Sequence, residues 1–323
     1  MMELTKGVCQ DKRELTEKEA LEILKSEEDF WEFYGQAVII KNHFTRTKMS
    51  LNVLLNAKSG LCAEDCGYCA QSKDSESEIQ VYSLLSGDEI YKRAVIACKR
   101  KARTLCIATS GTRLNKEEIT RLGEVIRRIK ADMPLKICLS VGLSKKDQIF
   151  YLKSCGVDRL NHNLNTAEGN YQKIASTHTY KERKETLKLM EEMQVHSCSG
   201  FIAGMGETDE QLVDLAFELK DLNPHAVPVN FLIPIKGTKL EDFQQLTAMK
   251  CLKILTMMRF LFPRTELRAS AGREYYLQEL QPLALLITDS IFLGDYLTSA
   301  GQEEDRDIAM LDLLEFAYEP EQS

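Results

Sequence analysis

From Met49 onward the chain alternates short apolar runs with longer amphipathic segments, and it does so eight times. The short runs predict strands at residues 51–56, 104–109, 136–141, 159–164, 197–203, 227–233, 266–270 and 290–293. The intervening segments predict helices near 88–100, 115–130, 145–154, 181–193, 209–222, 248–262, 275–287 and 305–316. No linker, low-complexity tract or repeat interrupts the series. Strands that return after a helix pair in parallel, so the alternation predicts a parallel sheet with its helices outside, and eight units suggest a closed TIM-type (β/α)8 barrel of the α/β class. The alternative is an open doubly wound sheet, which the absence of a Gly-x-Gly-x-x-Gly turn after the first strand weakens. In a barrel the active site lies at the carboxyl ends of the strands.

Ahead of this series the first 45 residues predict a helical extension. Thr16-Glu17-Lys18-Glu19 forms a capping box before Ala20, Leu21, Ile23 and Leu24. A second amphipathic helix at 30–40 carries the only tryptophan, Trp31. Both are expected to pack on the outside of the main domain.

Of the 323 residues 44% are hydrophobic, enough to bury a sizeable core, and the net charge of -7 argues against a nucleic-acid surface. Residues 1–24 are charged throughout and lack the apolar segment of a secretory signal. No run approaches the roughly 20 apolar residues of a membrane span, so a cytoplasmic location is expected. The ten cysteines then read as metal ligands or buried thiols rather than disulfides. Cys9, Cys98, Cys155 and Cys251 fall in helical or terminal context, where a structural role is the default.

The stretch Cys62-Ala63-Glu64-Asp65-Cys66-Gly67-Tyr68-Cys69 forms the loop behind the first strand. Its three thiols can converge on one metal centre and leave a position open. Structural zinc usually takes four ligands, commonly as two separated Cys-x-x-Cys pairs, and no second pair is present. A four-iron, four-sulfur cluster on three cysteines keeps one iron free for a non-protein ligand. A zinc knuckle or buried reduced cysteines are the plainer readings.

Barrel interiors are normally filled by branched apolar side chains, yet Cys106, Cys138, Cys198 and Arg268 stand mid-strand on four different strands. Each cysteine alone reads as a small core residue; together with the arginine they could hold a second iron-sulfur cluster deep in the barrel. By composition alone Arg268 would be a counter-ion. The fourth strand ends Leu160-Asn161-His162-Asn163-Leu164, and the sixth contains Asn230. Asn161 and Asn163 share a face, where they can recognise a polar ligand or, facing outward, cap loops. His162, on the other face, reads as a satisfied structural histidine. Gly204-Met205-Gly206-Glu207-Thr208 is a turn and helix start.

The cysteine spacing is that of the radical S-adenosylmethionine (SAM) superfamily, and Cys-Ala-Glu-Asp-Cys-Gly-Tyr-Cys-Ala-Gln-Ser at 62–72 resembles the biotin synthase family. So do Asn-His-Asn-Leu at 161, Cys-Ser-Gly at 198, Val-Pro-Val-Asn at 227, Lys-Gly-Thr at 236 and Arg-Ala-Ser-Ala-Gly-Arg-Glu at 268. The resemblance implies a barrel domain over 46–323 behind the extension at 1–45, usually as a homodimer, that inserts sulfur between two unactivated carbons of dethiobiotin and uses two SAM per product. It further implies that Cys62, Cys66 and Cys69 hold a [4Fe-4S] cluster with SAM on its open iron. Cys106, Cys138, Cys198 and Arg268 match the ligands of a [2Fe-2S] cluster thought to supply the sulfur. Asn163 and Asn230 match contacts to SAM and dethiobiotin, Ile202 matches a SAM contact, and Asn165 stands where many members have an aspartate facing the SAM ribose. Leu160 stands where a tyrosine is common. An external electron donor and iron-sulfur assembly machinery are the implied partners. The rivals are a related radical SAM maturase or mutase, which need not carry the full Cys106, Cys138, Cys198 and Arg268 set, and a non-catalytic metal-binding protein, which would not cleave SAM.

Overall fold

The computed structural model describes residues 2–318. The strands are β1 Ser50–Lys58, β2 Thr104–Thr109, β3 Lys136–Ser140, β4 Arg159–Asn161, β5 His196–Cys198, β6 Phe201–Ala203, β7 Ala226–Phe231, β8 Glu266–Ala269 and β9 Ser290–Leu293. All named pairings are parallel, and they run β1-β2-β3-β4-β5 on one side and β1-β9-β8-β7 on the other. Cys198 of β5 pairs with Ala226 of β7, which closes the cylinder. The expected eight-stave barrel is therefore present.

Its fifth stave departs from the sequence reading. The single strand expected at 197–203 is two short segments, β5 and β6, broken at Ser199-Gly200. The cause lies on the neighbouring strand. Pro228 has no N–H to donate into the ladder, and its carbonyl comes so close that a Cβ on Gly200 would stand 1.9 Å from the oxygen. The expected strand at 159–164 is regular only as far as Asn161, although beyond it His162 and Leu164 still donate to Cys198 and Gly200 at the break.

The helix expected at 275–287 is three pieces: Arg273–Leu277, the 3-10 turn Gln278–Leu280 and Gln281–Leu285. Gln278 sits at φ +45° and Pro282 at the start of the third piece, so an unbroken helix cannot pass. A seven-residue helix at Glu168–Ile174 is additional to those expected.

The extension is three helices, Met2–Cys9, Glu17–Lys25 and Phe30–Phe44, the first of them unforeseen. The capping box at Thr16 and Glu19 forms. Helix Phe30–Phe44 buries Phe30, Phe33, Tyr34, Ala37 and Ile40 and lies against the barrel helix Ala248–Leu261, leaving Trp31 exposed. Glu17–Lys25 packs on Asp209–Asp221. Among the described residues no helix is long and apolar enough to cross a membrane.

Of the three apolar clusters among the described residues, two bear on the site. The large one joins the strands' outer faces to the helices, and it extends continuously into the extension. The small one is separate, made of Cys106, Cys138, Cys198, Ala226 and Phe292. Sulfur thus replaces the branched aliphatics that a barrel interior ordinarily uses.

Candidate active site

A cavity of about 340 Å³ opens at the carboxyl ends of the strands and descends to these thiols. Cys62, Cys66 and Cys69 line it from the loop after β1. Asn161, Asn163, Asn165, Ile202 and Asn230 line its walls, and Cys106, Cys138 and Arg268 lie at its base. Cys198 sits just behind that lining, 1% exposed, with its sulfur 3.4 Å from Asn161 Nδ2. Every sequence-expected site residue is therefore at, or one contact from, one space.

The cysteine loop is held by a segment more than a hundred residues away. The Asp65 carboxylate accepts from the Ser176 N–H at 2.9 Å, the Thr177 N–H at 3.1 Å and the hydroxyls of both residues. Gly67 N donates to Ile174 O at 2.8 Å. Glu64 accepts from the Thr112 hydroxyl and shares the Thr177 hydroxyl proton with Asp65, and its Oε2 lies 3.3 Å from His178 Nδ1, at ion-pair distance but without hydrogen-bond geometry. His178 Nε2 accepts from Arg183 Nη2 at 2.6 Å and lies 3.9 Å from the Cys66 sulfur. Burial pushes the Cys66 thiol up to about 12, a rise that the nearby Arg183 guanidinium partly offsets. Cys62 is half-buried, beside the exposed Leu61.

The base is a second sulfur cluster of different construction. Cys106 and Cys138 are register partners on β2 and β3, and both pack with Cys198 in one cluster. Interaction with the Cys138 thiol lowers the Cys106 and Cys198 thiols against the opposing effect of burial, and the Arg268 guanidinium lowers them further. Arg268 is itself fully buried.

The wall asparagines line the cavity, so the outward-facing alternative does not apply to them. Asn163 Oδ1 accepts from Asn161 Nδ2 at 3.2 Å and from Gly200 N at 3.1 Å. Asn230 spans its neighbours, donating to Phe201 O at 3.0 Å and accepting from Ala271 N at 3.3 Å. Asn165 takes a left-handed φ of +72° and its carbonyl receives Ile202 N at 2.8 Å. His162 corrects the sequence reading. It lines the cavity, and its buried Nε2 has no hydrogen-bond partner among the described residues, because the strand alternation that would turn it away ends at Asn161. Burial holds its ring well below the usual histidine range, hence neutral. Sequence reasoning also missed Asp65, His178 and Arg183 as partners; only their contacts across the fold reveal them.

The donor set suits soft metal centres. No three His, Cys, Asp or Glu side chains among the described residues close on a point as a single ion requires. The loop thiols instead line a cavity that admits a larger body.

Residues 58–219 match the family described as Radical SAM superfamily, and residues 228–317 that described as Biotin and Thiamin Synthesis associated domain. The protein named biotin synthase from Streptococcus agalactiae serotype III (strain NEM316) is 48% identical over 315 residues, covering 98% of this chain and 96% of that protein. Biotin synthase from Bacillus mycoides (strain KBAB4) is 44% identical over 310 residues, covering 96% and 93%. The crystal structure of a methylornithine synthase superposes with a TM-score of 0.83 at 18% identity over 98% of this chain and 97% of that one, a likeness of fold. The chain belongs to the biotin synthase family of radical SAM enzymes, which implies a [4Fe-4S] cluster with SAM and the insertion of sulfur into dethiobiotin.

Proposed function

We propose a residue-level assignment for that reaction. Cys62, Cys66 and Cys69 hold the [4Fe-4S] cluster and leave one iron for the amino and carboxylate groups of SAM. Cys106, Cys138, Cys198 and Arg268 hold a [2Fe-2S] cluster that supplies the sulfur and is consumed. Asn163, Asn165, Ile202 and Asn230 bind SAM and dethiobiotin between the two. When bound, the first cluster supplies the electron that splits SAM into methionine and a 5′-deoxyadenosyl radical able to take hydrogen from an unactivated carbon.

The observation that carries this reading is the single cavity that joins the loop thiols, the asparagine walls and the arginine beside the strand thiols. A reactive species made at one end meets substrate before solvent, and the barrel supplies alignment and exclusion while the cofactors supply the chemistry. Leu54, Ile107, Ile202 and Phe292 give the lining its apolar share. The wall amides keep hydrogen-bonding capacity toward a polar ligand, although each also holds its strand in place.

Residues 1–45 form the helical extension and 46–323 the barrel domain in this reading; Met1 and residues 319–323 lie outside the described residues. The enzyme acts in the cytoplasm as a homodimer, with iron-sulfur assembly machinery rebuilding the consumed cluster. An external donor reduces the first cluster from the side of Leu61 and Cys62, where the loop meets solvent.

The test is anaerobic reconstitution followed by reductant, SAM and dethiobiotin. Biotin and 5′-deoxyadenosine are both expected. Release of 5′-deoxyadenosine alone would remove the sulfur-donor assignment and keep the radical one, and neither product would remove both.

A further inference from the structure

The floor of the barrel carries a chain of ion pairs that the assignment above leaves without a role. Arg159 of β4 donates from Nη1 to Glu266 Oε2 at 2.5 Å, and Arg268 of β8 donates from Nη2 to Glu266 Oε1 at 2.7 Å. One carboxylate therefore bridges two guanidiniums. The Arg159 and Glu266 side chains are 16% and 17% exposed and that of Arg268 only 2%, so the chain leads from solvent below the barrel to the buried thiols.

Arg268 is pinned on the same side by other groups. Its Nε donates to Ser290 Oγ at 3.0 Å, and its Nη2 is 3.5 Å from Asn52 Oδ1. The guanidinium carbon lies 4.9 Å from the centre of the Phe292 ring. Nε and Nη2 are thus committed away from the cavity that Arg268 lines. Nη1 makes no hydrogen bond among the described residues.

A buried guanidinium is tolerated only with its counter-charge and hydrogen bonds in place. Among the described residues Glu266 is the one carboxylate that touches Arg268. Two guanidiniums against one carboxylate leave a positive balance beneath the three thiols, the sign that favours thiolates as metal ligands.

We propose that Glu266 is a positioning residue for the second cluster: it grips Arg268 by one edge of the guanidinium and presents the remaining nitrogen, Nη1, to the space beside Cys106 and Cys198. Arg159 holds Glu266 from outside and acts one step further away. The proposal rests on the assignment of Cys106, Cys138, Cys198 and Arg268 to that cluster, and it predicts that the carboxylate acts on the cluster through Arg268, over and above its contribution to the stability of the fold.

The test uses the full chain, reconstituted anaerobically with iron and sulfide and then challenged with an iron chelator. Loss of each cluster is followed by its visible absorbance and by iron count, and thermal unfolding monitors the fold. Glu266→Gln keeps the volume and removes the charge. It is expected to release the second cluster about tenfold faster than wild type, the usual scale for removing a group that orients a metal ligand. Its second-cluster absorption bands should shift, with release of the first cluster unchanged. Arg159→Gln should move these readouts less. In an Arg268→Lys background Glu266→Gln should add little. Release at the wild-type rate, or an undiminished effect in the Arg268→Lys background, would overturn the positioning role while leaving the cluster assignment standing. Should Glu266→Gln not fold, Glu266→Asp, which keeps the charge and shortens the reach, is expected to loosen the second cluster in the same way, and its failure to do so would overturn the role. If the wild-type chain takes up only the first cluster, the assignment falls and the role with it.

Discussion

The Asp65 carboxylate and the backbone N–H of Ser176 meet at 2.9 Å across 111 residues of chain. This contact, with those to Thr177, ties the cysteine loop to the end of helix Glu168–Ile174. Burial would raise the Asp65 carboxyl, but the hydrogen bonds from Ser176 and Thr177 outweigh it and hold the group well below the usual carboxylate range. Its contribution is thus complete above about pH 4, the unfolded value, and is lost only as pH falls toward the folded one. Asp65→Ala is expected to cost the apo-protein about 2 kcal/mol, the scale for hydrogen bonds to a charged group. Denaturant unfolding at pH 7 checks it. The same variant should lose the first cluster to chelator faster and the second at the wild-type rate.

Cys66→Ala and Cys198→Ala separate the two sulfur sites. On the proposed assignment Cys66→Ala abolishes SAM cleavage. Cys198→Ala still releases 5′-deoxyadenosine but mainly stops biotin formation. Product analysis by chromatography distinguishes them, and normal biotin formation by the Cys198 variant would end the second-cluster assignment.

Asn163 joins both walls of the cavity through Asn161 and Gly200. Asn163→Ala leaves the Gly200 N–H and the Asn161 amide short of a partner and removes a group proposed to meet the ligands. We expect SAM and dethiobiotin each to bind about tenfold more weakly, the equivalent of roughly one hydrogen bond, as read by equilibrium binding to the reconstituted protein. Unchanged affinity for both would confine Asn163 to a structural role.

Lys41 gives a pH-dependent stability with a definite sign. It is fully buried on the extension helix, where it donates to Arg46 O at 3.0 Å and faces the Phe316 ring. Burial pushes its ammonium down to about 8 from 10.5. Between these values the unfolded chain holds the proton and the folded chain sheds it, so stability rises with pH. Relative to Lys41→Met, the wild type should gain up to about 3 kcal/mol from pH 8 to 10.5. Urea titrations of the apo-proteins at several pH values check this, and parallel curves would contradict it.

The barrel was legible because eight apolar runs alternate with amphipathic ones, a pattern that local physics imposes whatever the neighbours. The break at Ser199-Gly200 was not, since 197–203 reads as one continuous run and the disruption comes from Pro228 on another strand. His162 was misjudged for a similar reason, because extrapolating a two-residue alternation requires the strand to continue and β4 stops at Asn161. The site thiols stood out as sulfur in places where a barrel uses aliphatics. Asp65, His178, Arg183 and Glu266 did not stand out: charged residues on loops and strand ends are ordinary, and only the fold makes partners of residues a hundred positions apart.

Cys106 and Cys138 sit opposite each other on adjacent strands, and neighbouring parallel strands are about 4.8 Å apart wherever they occur. The hydrogen-bonded ladder, and not the occupant, therefore sets their separation. On the proposed assignment the barrel works as a rigid gauge: a cluster assembled there after each turnover is built to the same span, and a consumed part is replaced without the chain having to find its shape again.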